Sequence, residues 1–336
     1  MKFARIILAA AVGATLAVLP QHAGHAATVQ LLNVSYDPTR ELYQDFNQAF
    51  ARYWKKKTGQ DVTVQQSHGG SSKQARSVIE GLGADVVTLG LPSDIDAIQK
   101  AGLIQPGWSK RLPDNSTPYT STVVFVVRSG NPKGIHDWPD LIKPGVQVIT
   151  PNPKTSAGGH LAYYAAYAYV DSTSKHNPTA IRSFLGKLYH NVPVLDSGSR
   201  GSTTTFVQRG IGDVLIAWEN EALLTVNQLG KGQYQIVYPS VSVLAEPSVA
   251  VVDKVAGGHH TSDVAAAYLA YLYSPEGQAI VARHYYRPHL ASAAKQYAGQ
   301  FPKIRLLTIP QVFGSWDAAQ QNQLNDGGVF DQVFHR

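Results

Sequence analysis

Three times within the first hundred residues, a short apolar run rich in β-branched side chains gives way directly to a stretch with helical spacing. Residues 29–34, 62–66 and 84–89 read as strands, and the stretches opening at Pro38, Ser71 and Ser93 read as the helices that follow them. In the first of these, Leu42, Phe46, Ala49, Phe50 and Tyr53 recur at the spacing of one helix face. Successive βα units require a parallel sheet with right-handed crossovers, so the carboxyl ends of the strands share one edge. Open α/β sheets hold their ligands at that edge.

The strand-to-helix junctions say what kind of ligand. Ser35-Tyr36-Asp37-Pro38-Thr39, His68-Gly69-Gly70-Ser71-Ser72, Thr155-Ser156-Ala157-Gly158-Gly159 and Gly198-Ser199-Arg200-Gly201-Ser202-Thr203 are built mainly of small residues at expected helix starts. The first N–H groups of a helix lack intrahelical acceptors and lie at the positive end of its dipole, so several starts converging on one point would bind an anion. Two segments fall in each half of the chain, as a site between two facing lobes requires. Ser71, Ser156 and Ser202 add hydroxyl donors, and Trp218, at the end of an expected strand over residues 213–218, adds an indole N–H. Five to seven charge-assisted bonds of roughly 1.5–3 kcal/mol each can offset the desolvation of a dianion and leave the roughly 8 kcal/mol of a micromolar site.

Donors without acceptors suit a fully ionised tetrahedral dianion such as sulfate, whereas hydrogen phosphate carries a proton that needs an acceptor. Asp37 is the residue that bears on this. As the expected N-cap of its helix, its carboxylate would be occupied by the N–H groups of Thr39 or Arg40. Arg200 can either pair with the anion directly or stand behind a helix start, and Lys73 is expected to face solvent.

Beyond the first three units the chain continues in the α/β manner, with a polar, Pro-containing stretch over residues 108–119 as the passage to a second lobe. The run over residues 243–253, interrupted by Pro247, would carry it back. The expected organisation is a first lobe of residues 27–115 plus 247–336 and a second of residues 116–246, each a mostly parallel sheet flanked by helices. Ser274-Pro275-Glu276 marks a helix start in the C-terminal part.

Lys2 and Arg5, an uncharged apolar run over residues 6–19, and Gly24-His25-Ala26 form a secretory leader of residues 1–26 with its cleavage site. The apolar run is too short to span a bilayer, so no membrane insertion is expected once it is removed. Removing Lys2 and Arg5 takes the 29 basic residues to 27 against 23 acidic ones, a net charge of +4. Those charges are scattered, and with no aromatic RNA-binding motif they give no footprint for nucleic acid. Lys55-Lys56-Lys57 reads as a solvated helix end before Gly59. The chain has no cysteine, which suits an oxidising compartment and excludes a thiol nucleophile or a cysteine metal site. No cofactor or metal motif is present; His259-His260 lies in a Gly-rich polar turn.

These residues also carry a resemblance. Val34-Ser35-Tyr36-Asp37-Pro38-Thr39-Arg40-Glu41, Ser67-His68-Gly69-Gly70-Ser71 with Lys73-Gln74, Pro151-Asn152-Pro153-Lys154-Thr155-Ser156, Asp196-Ser197-Gly198, and Ala217-Trp218-Glu219-Asn220-Glu221 together look like the periplasmic sulfate-binding protein family. The similarity extends over essentially the whole mature chain, including Tyr273-Ser274-Pro275-Glu276-Gly277. It implies a two-lobed type II periplasmic binding protein fold, monomeric, that closes on sulfate or thiosulfate and delivers it to the permease subunits of an ABC importer. By that pattern the donors come from Asp37 (backbone), Ser71, Ser156, Ala157, Gly158, Ser199 (backbone) and Trp218, with Gly70, Ser72, Gly159, Arg200, Gly201 and Ser202 in support. Ala157 stands where the pattern commonly has Gly, and Ser199 where it commonly has Ala. A phosphate- or molybdate-binding protein of the same architecture is the near alternative. An exported hydrolase is the distant one: His68-Gly69-Gly70 resembles a lipase oxyanion segment, but no Gly-x-Ser-x-Gly elbow accompanies it.

Overall fold

A computed structural model describes residues 28–334, so the expected leader lies outside the described residues. Strand β1 (Val29–Tyr36) pairs in parallel with β2 (Val62–Gly69), from Val29 opposite Val62 to Tyr36 opposite Gly69, and with β3 (Val86–Leu89) on its other edge. Helices Arg40–Thr58, Ser71–Ile79 and Pro92–Lys100 follow the three strands. Leu42, Phe46, Ala49 and Phe50 are buried on the inner face of the first. That helix ends as its sequence requires: Gly59 adopts the left-handed conformation at φ 78°, and its N–H closes on the Lys55 carbonyl. Lys55, Lys56 and Lys57 occupy the last turn, where cations offset the negative end of the helix dipole.

The second sheet holds β4 (Tyr119–Arg128), β5 (Val148–Pro151), β6 (Leu195–Asp196), β7 (Val214–Trp218), β8 (Tyr234–Val237) and β9 (Ser242–Ala245). Here the expectation of a mostly parallel sheet needs correcting. The long central β4 runs antiparallel to β7, β8 and β9, and parallel pairing among these strands is confined to β5 with β6 and β7. β4 brings the chain in from the first sheet and β9 leads it back, so the two lie head to tail.

Pro247 stands at the return. It separates β9, in the larger sheet, from β10 (Ser248–Val251), which joins the smaller sheet antiparallel to β3. The chain thus crosses between the bodies at Thr117-Pro118 and at Glu246-Pro247. Ser274 caps helix Pro275–Arg283, its hydroxyl accepting from the Gly277 N–H at 3.0 Å.

The C-terminal segment is placed otherwise than expected. β11 (Arg287–Pro288) pairs with the start of β4, and β12 (Leu306–Leu307) extends the larger sheet beside β9. Helix Val329–Val333 then seats Phe330 against Tyr163 and Tyr189, with ring centroids 5.9 and 5.0 Å apart. Residues 306–334 therefore pack on the second body, because that is where the aromatic surface they cover lies. Below, the bodies built on the four-stranded and the larger sheet are called the first and second lobes.

Within the second lobe Arg287 of β11 holds Glu219, which directly follows β7 and is fully buried, through two bonds of 2.7 Å. Removing one partner of such a pair strands a charge in a low-dielectric interior. Arg287→Ala is therefore expected to lower stability by about 3–5 kcal/mol, read from denaturant unfolding.

Candidate functional site

The four segments meet. A narrow cavity lies between the lobes, lined by Tyr36, Asp37, Pro38, Gly69 and Ser71 from the first and by Ser156, Ala157, Gly158 and Ser199 from the second. Gly70, Ser156 and Gly198 are the N-caps of helices Ser71–Ile79, Ala157–Thr173 and Ser199–Val207, and none makes a side-chain cap bond. Their first N–H groups are thus uncovered at the cavity wall, as the composition of the segments implies. Among the described residues no Lys, Arg or His lines the cavity.

Trp218 stands beside the cavity, next to the lining residue Gly158. Its ring packs on Tyr36 with centroids 5.3 Å apart, and its Nε1 is buried without an acceptor among the described residues. A methyl placed on Gly158 would stand 2.8 Å from that nitrogen, so the N–H looks onto the start of helix Ala157–Thr173. A buried indole donor with no acceptor is costly unless something accepts from it.

Ser71 Oγ accepts from the Gly90 N–H at 2.9 Å and donates to Asp94 Oδ2 at 2.5 Å. Burial pushes the Asp94 carboxyl up.

The charged residues near the site are neutralised behind it. Arg200 reaches Glu41 through two bonds of 2.8 Å and Glu221 Oε1 at 2.9 Å, so of its two expected roles it takes the one behind the helix start. Burial opposes its charge, but the hydrogen bond to Glu41 and the Glu221 and Glu41 carboxylates outweigh that and hold its pKa above the ordinary value. Lys73 is exposed, as expected.

Asp37 is not the N-cap it was expected to be. Tyr36 holds that position, and Asp37 opens a short 3-10 turn, Asp37–Thr39, that runs into helix Arg40–Thr58. From inside the turn its carboxylate turns away from the helix N–H groups: Oδ1 accepts from Arg40 at 2.8 Å and Oδ2 presses on Gly198 of the other lobe.

The other supporting residues lie behind the cavity wall. Gly159 abuts the backbone of Pro151 and Asn152, Gly201 abuts Asp196, and the Ser72 and Ser202 hydroxyls are buried without partners. Gly90 escaped the sequence reading. Its Cα faces the Ala157 methyl and the Tyr36 and Trp218 rings, so the lobes touch there. A Gly followed by Pro92 at the end of a third strand was the available signal.

The rival sites do not assemble. His68 is bonded to Gln66 and faces the Tyr36 carbonyl at 3.4 Å, and burial lowers its pKa to about 4. His259 bonds Asp85 at 3.0 Å. Among the described residues no group of three or more His, Cys, Asp and Glu could hold a metal, and no helix is long and apolar enough to cross a membrane.

Residues 38–287 match the family model described as bacterial extracellular solute-binding protein. The sulfate-binding protein of Escherichia coli (strain K12) is 60% identical over 311 residues, which is 93% of this chain and 94% of that protein. The thiosulfate-binding protein of Pseudomonas aeruginosa is 51% identical over 313 residues, 93% of this chain and 94% of that one. Among solved structures, the sulfate-binding protein SubI from Mycobacterium tuberculosis H37Rv superposes with a TM-score of 0.80 at 32% identity, covering 88% of this chain and 100% of that one.

Proposed function

Because the chain belongs to the periplasmic sulfate-binding protein family, within the bacterial extracellular solute-binding proteins, we propose that it captures one dehydrated sulfate or thiosulfate dianion between its lobes and delivers it to an ABC importer. It acts in the periplasm, and its partners are the anion and the permease subunits of that importer. The work is binding without catalysis; its relatives are solute-binding proteins. The donors are the N–H of Asp37, the Ser71 hydroxyl, Ser156, Ala157, Gly158, the N–H of Ser199 and Nε1 of Trp218. The lobes close about the crossings at Thr117-Pro118 and Glu246-Pro247.

One observation carries this reading: a narrow cavity between the lobes is ringed by helix starts from both and, among the described residues, is lined by no cation. With no cation in the lining, donors must balance the charge, and the one carboxylate in the lining, that of Asp37, is bonded through Oδ1 to Arg40. Isothermal titration with sulfate, thiosulfate, phosphate and molybdate tests it. Sulfate or thiosulfate is expected to bind at micromolar concentration or tighter; binding of phosphate with neither sulfur oxyanion would overturn the reading.

A further inference from the structure

Ser199 enters the reading above through its N–H, but its side chain has a geometry of its own. It is only 7% exposed, lines the cavity, and its hydroxyl has no hydrogen-bond partner among the described residues. Oγ rests against Gly158: a methyl on that glycine would overlap it and would also lie 2.8 Å from Trp218 Nε1. Two side-chain donors from different elements, the Trp218 indole among them buried without an acceptor among the described residues, therefore converge on the corner at Gly158, a cavity-lining residue. Another part of the cavity wall is apolar, formed by Tyr36, Pro38 and Ala157.

We propose that the Ser199 hydroxyl is a direct ligand donor which, with Trp218 Nε1, makes this corner an oxygen-only subsite. A hydroxyl hydrogen and an indole hydrogen aimed at one point are both satisfied by an oxyanion oxygen with its several lone pairs. A terminal sulfur is larger, softer and a weak acceptor. Thiosulfate thus sets one of its oxygens in the corner, as sulfate does, and turns its sulfur toward the apolar wall. This inference rests on the sulfur-oxyanion reading.

The test is Ser199→Ala, which keeps the backbone N–H and the helix start, beside Ser199→Thr, which keeps the hydroxyl. Affinity is measured by titration and dissociation by stopped-flow tryptophan fluorescence. Ser199→Ala is expected to weaken sulfate and thiosulfate alike by roughly tenfold or more, through faster dissociation. Ser199→Thr is expected to retain most of the affinity, and circular dichroism to report the same fold in all three proteins. Unchanged sulfate affinity in Ser199→Ala, a loss confined to sulfate, or an equal loss in Ser199→Thr would each overturn the proposal. Failure of the unsubstituted protein to bind either anion would instead overturn the reading beneath it.

Discussion

Gly70→Ala is expected to weaken sulfate binding by about ten- to a hundredfold while leaving the unfolding midpoint of the ligand-free protein nearly unchanged. Gly70 sits at φ −59° and ψ 133°, a conformation alanine adopts freely, so the substitution strains nothing within its own lobe. Across the cleft the new methyl would overlap the Thr155 carbonyl oxygen and stand 2.6 Å from that of Ser197. Both obstacles are backbone, and neither can swing aside as a side-chain end can. Overpacking of this kind costs typically 1–3 kcal/mol, and here that cost falls only on the closed state. Apparent affinity drops by the fraction of closing-competent molecules lost. Titration calorimetry and a thermal melt check it together: unchanged affinity would mean that the lobes do not meet at Gly70, and a collapsed midpoint that the glycine serves its own lobe.

The same contact explains what could be read from sequence and what could not. The three βα units and the uncovered helix starts are local: period, a Gly or Pro at the right offset and small residues in the junction suffice to place them. Gly59 and Ser274 were legible for the same reason, since a helix end is decided within one turn. Gly90 was not, because its importance comes from Ala157 in the opposite lobe. Arg200 was left between two roles because its partners, Glu41 and Glu221, are set by the fold and stand 159 and 21 positions away.

Two other differences from expectation have a common cause. The Asp37 carboxylate lost its expected cap to Arg40, three residues on, whose guanidinium offers a stronger partner than a backbone N–H. The C-terminal segment packs on the second lobe rather than the expected first because β12, at two residues, is too short to show a period, and its anchor is aromatic packing of Phe330 on Tyr163 and Tyr189. In each case the competition between partners is resolved only once distant elements are in place.

Electrostatics ties the site together. Arg40 is committed to Asp37 and Arg200 to Glu41 and Glu221, so these two cations are balanced before any anion arrives. An anion in the cavity must then be held by dipoles. Each donor bears a large share of the affinity, and the loss of one is not made good by a nearby charge.

Trp218→Phe is the sharpest way to measure one such share. The indole Nε1 is buried, has no acceptor among the described residues and faces the start of helix Ala157–Thr173. Phenylalanine keeps a ring to pack on Tyr36 and removes only the donor and part of the ring volume. In the ligand-free protein the lobes are apart, so only the smaller ring matters: the gap it leaves should lower stability by no more than about 1–2 kcal/mol. In the complex the loss is one-sided: a charge-assisted bond of roughly 1.5–3 kcal/mol disappears, equivalent to a ten- to hundredfold weaker affinity for sulfate. Calorimetric titration beside a denaturant melt separates the two quantities. Sulfate affinity equal to that of the unsubstituted protein would show that the indole N–H does not reach the anion, and would place the ligand elsewhere in the cleft.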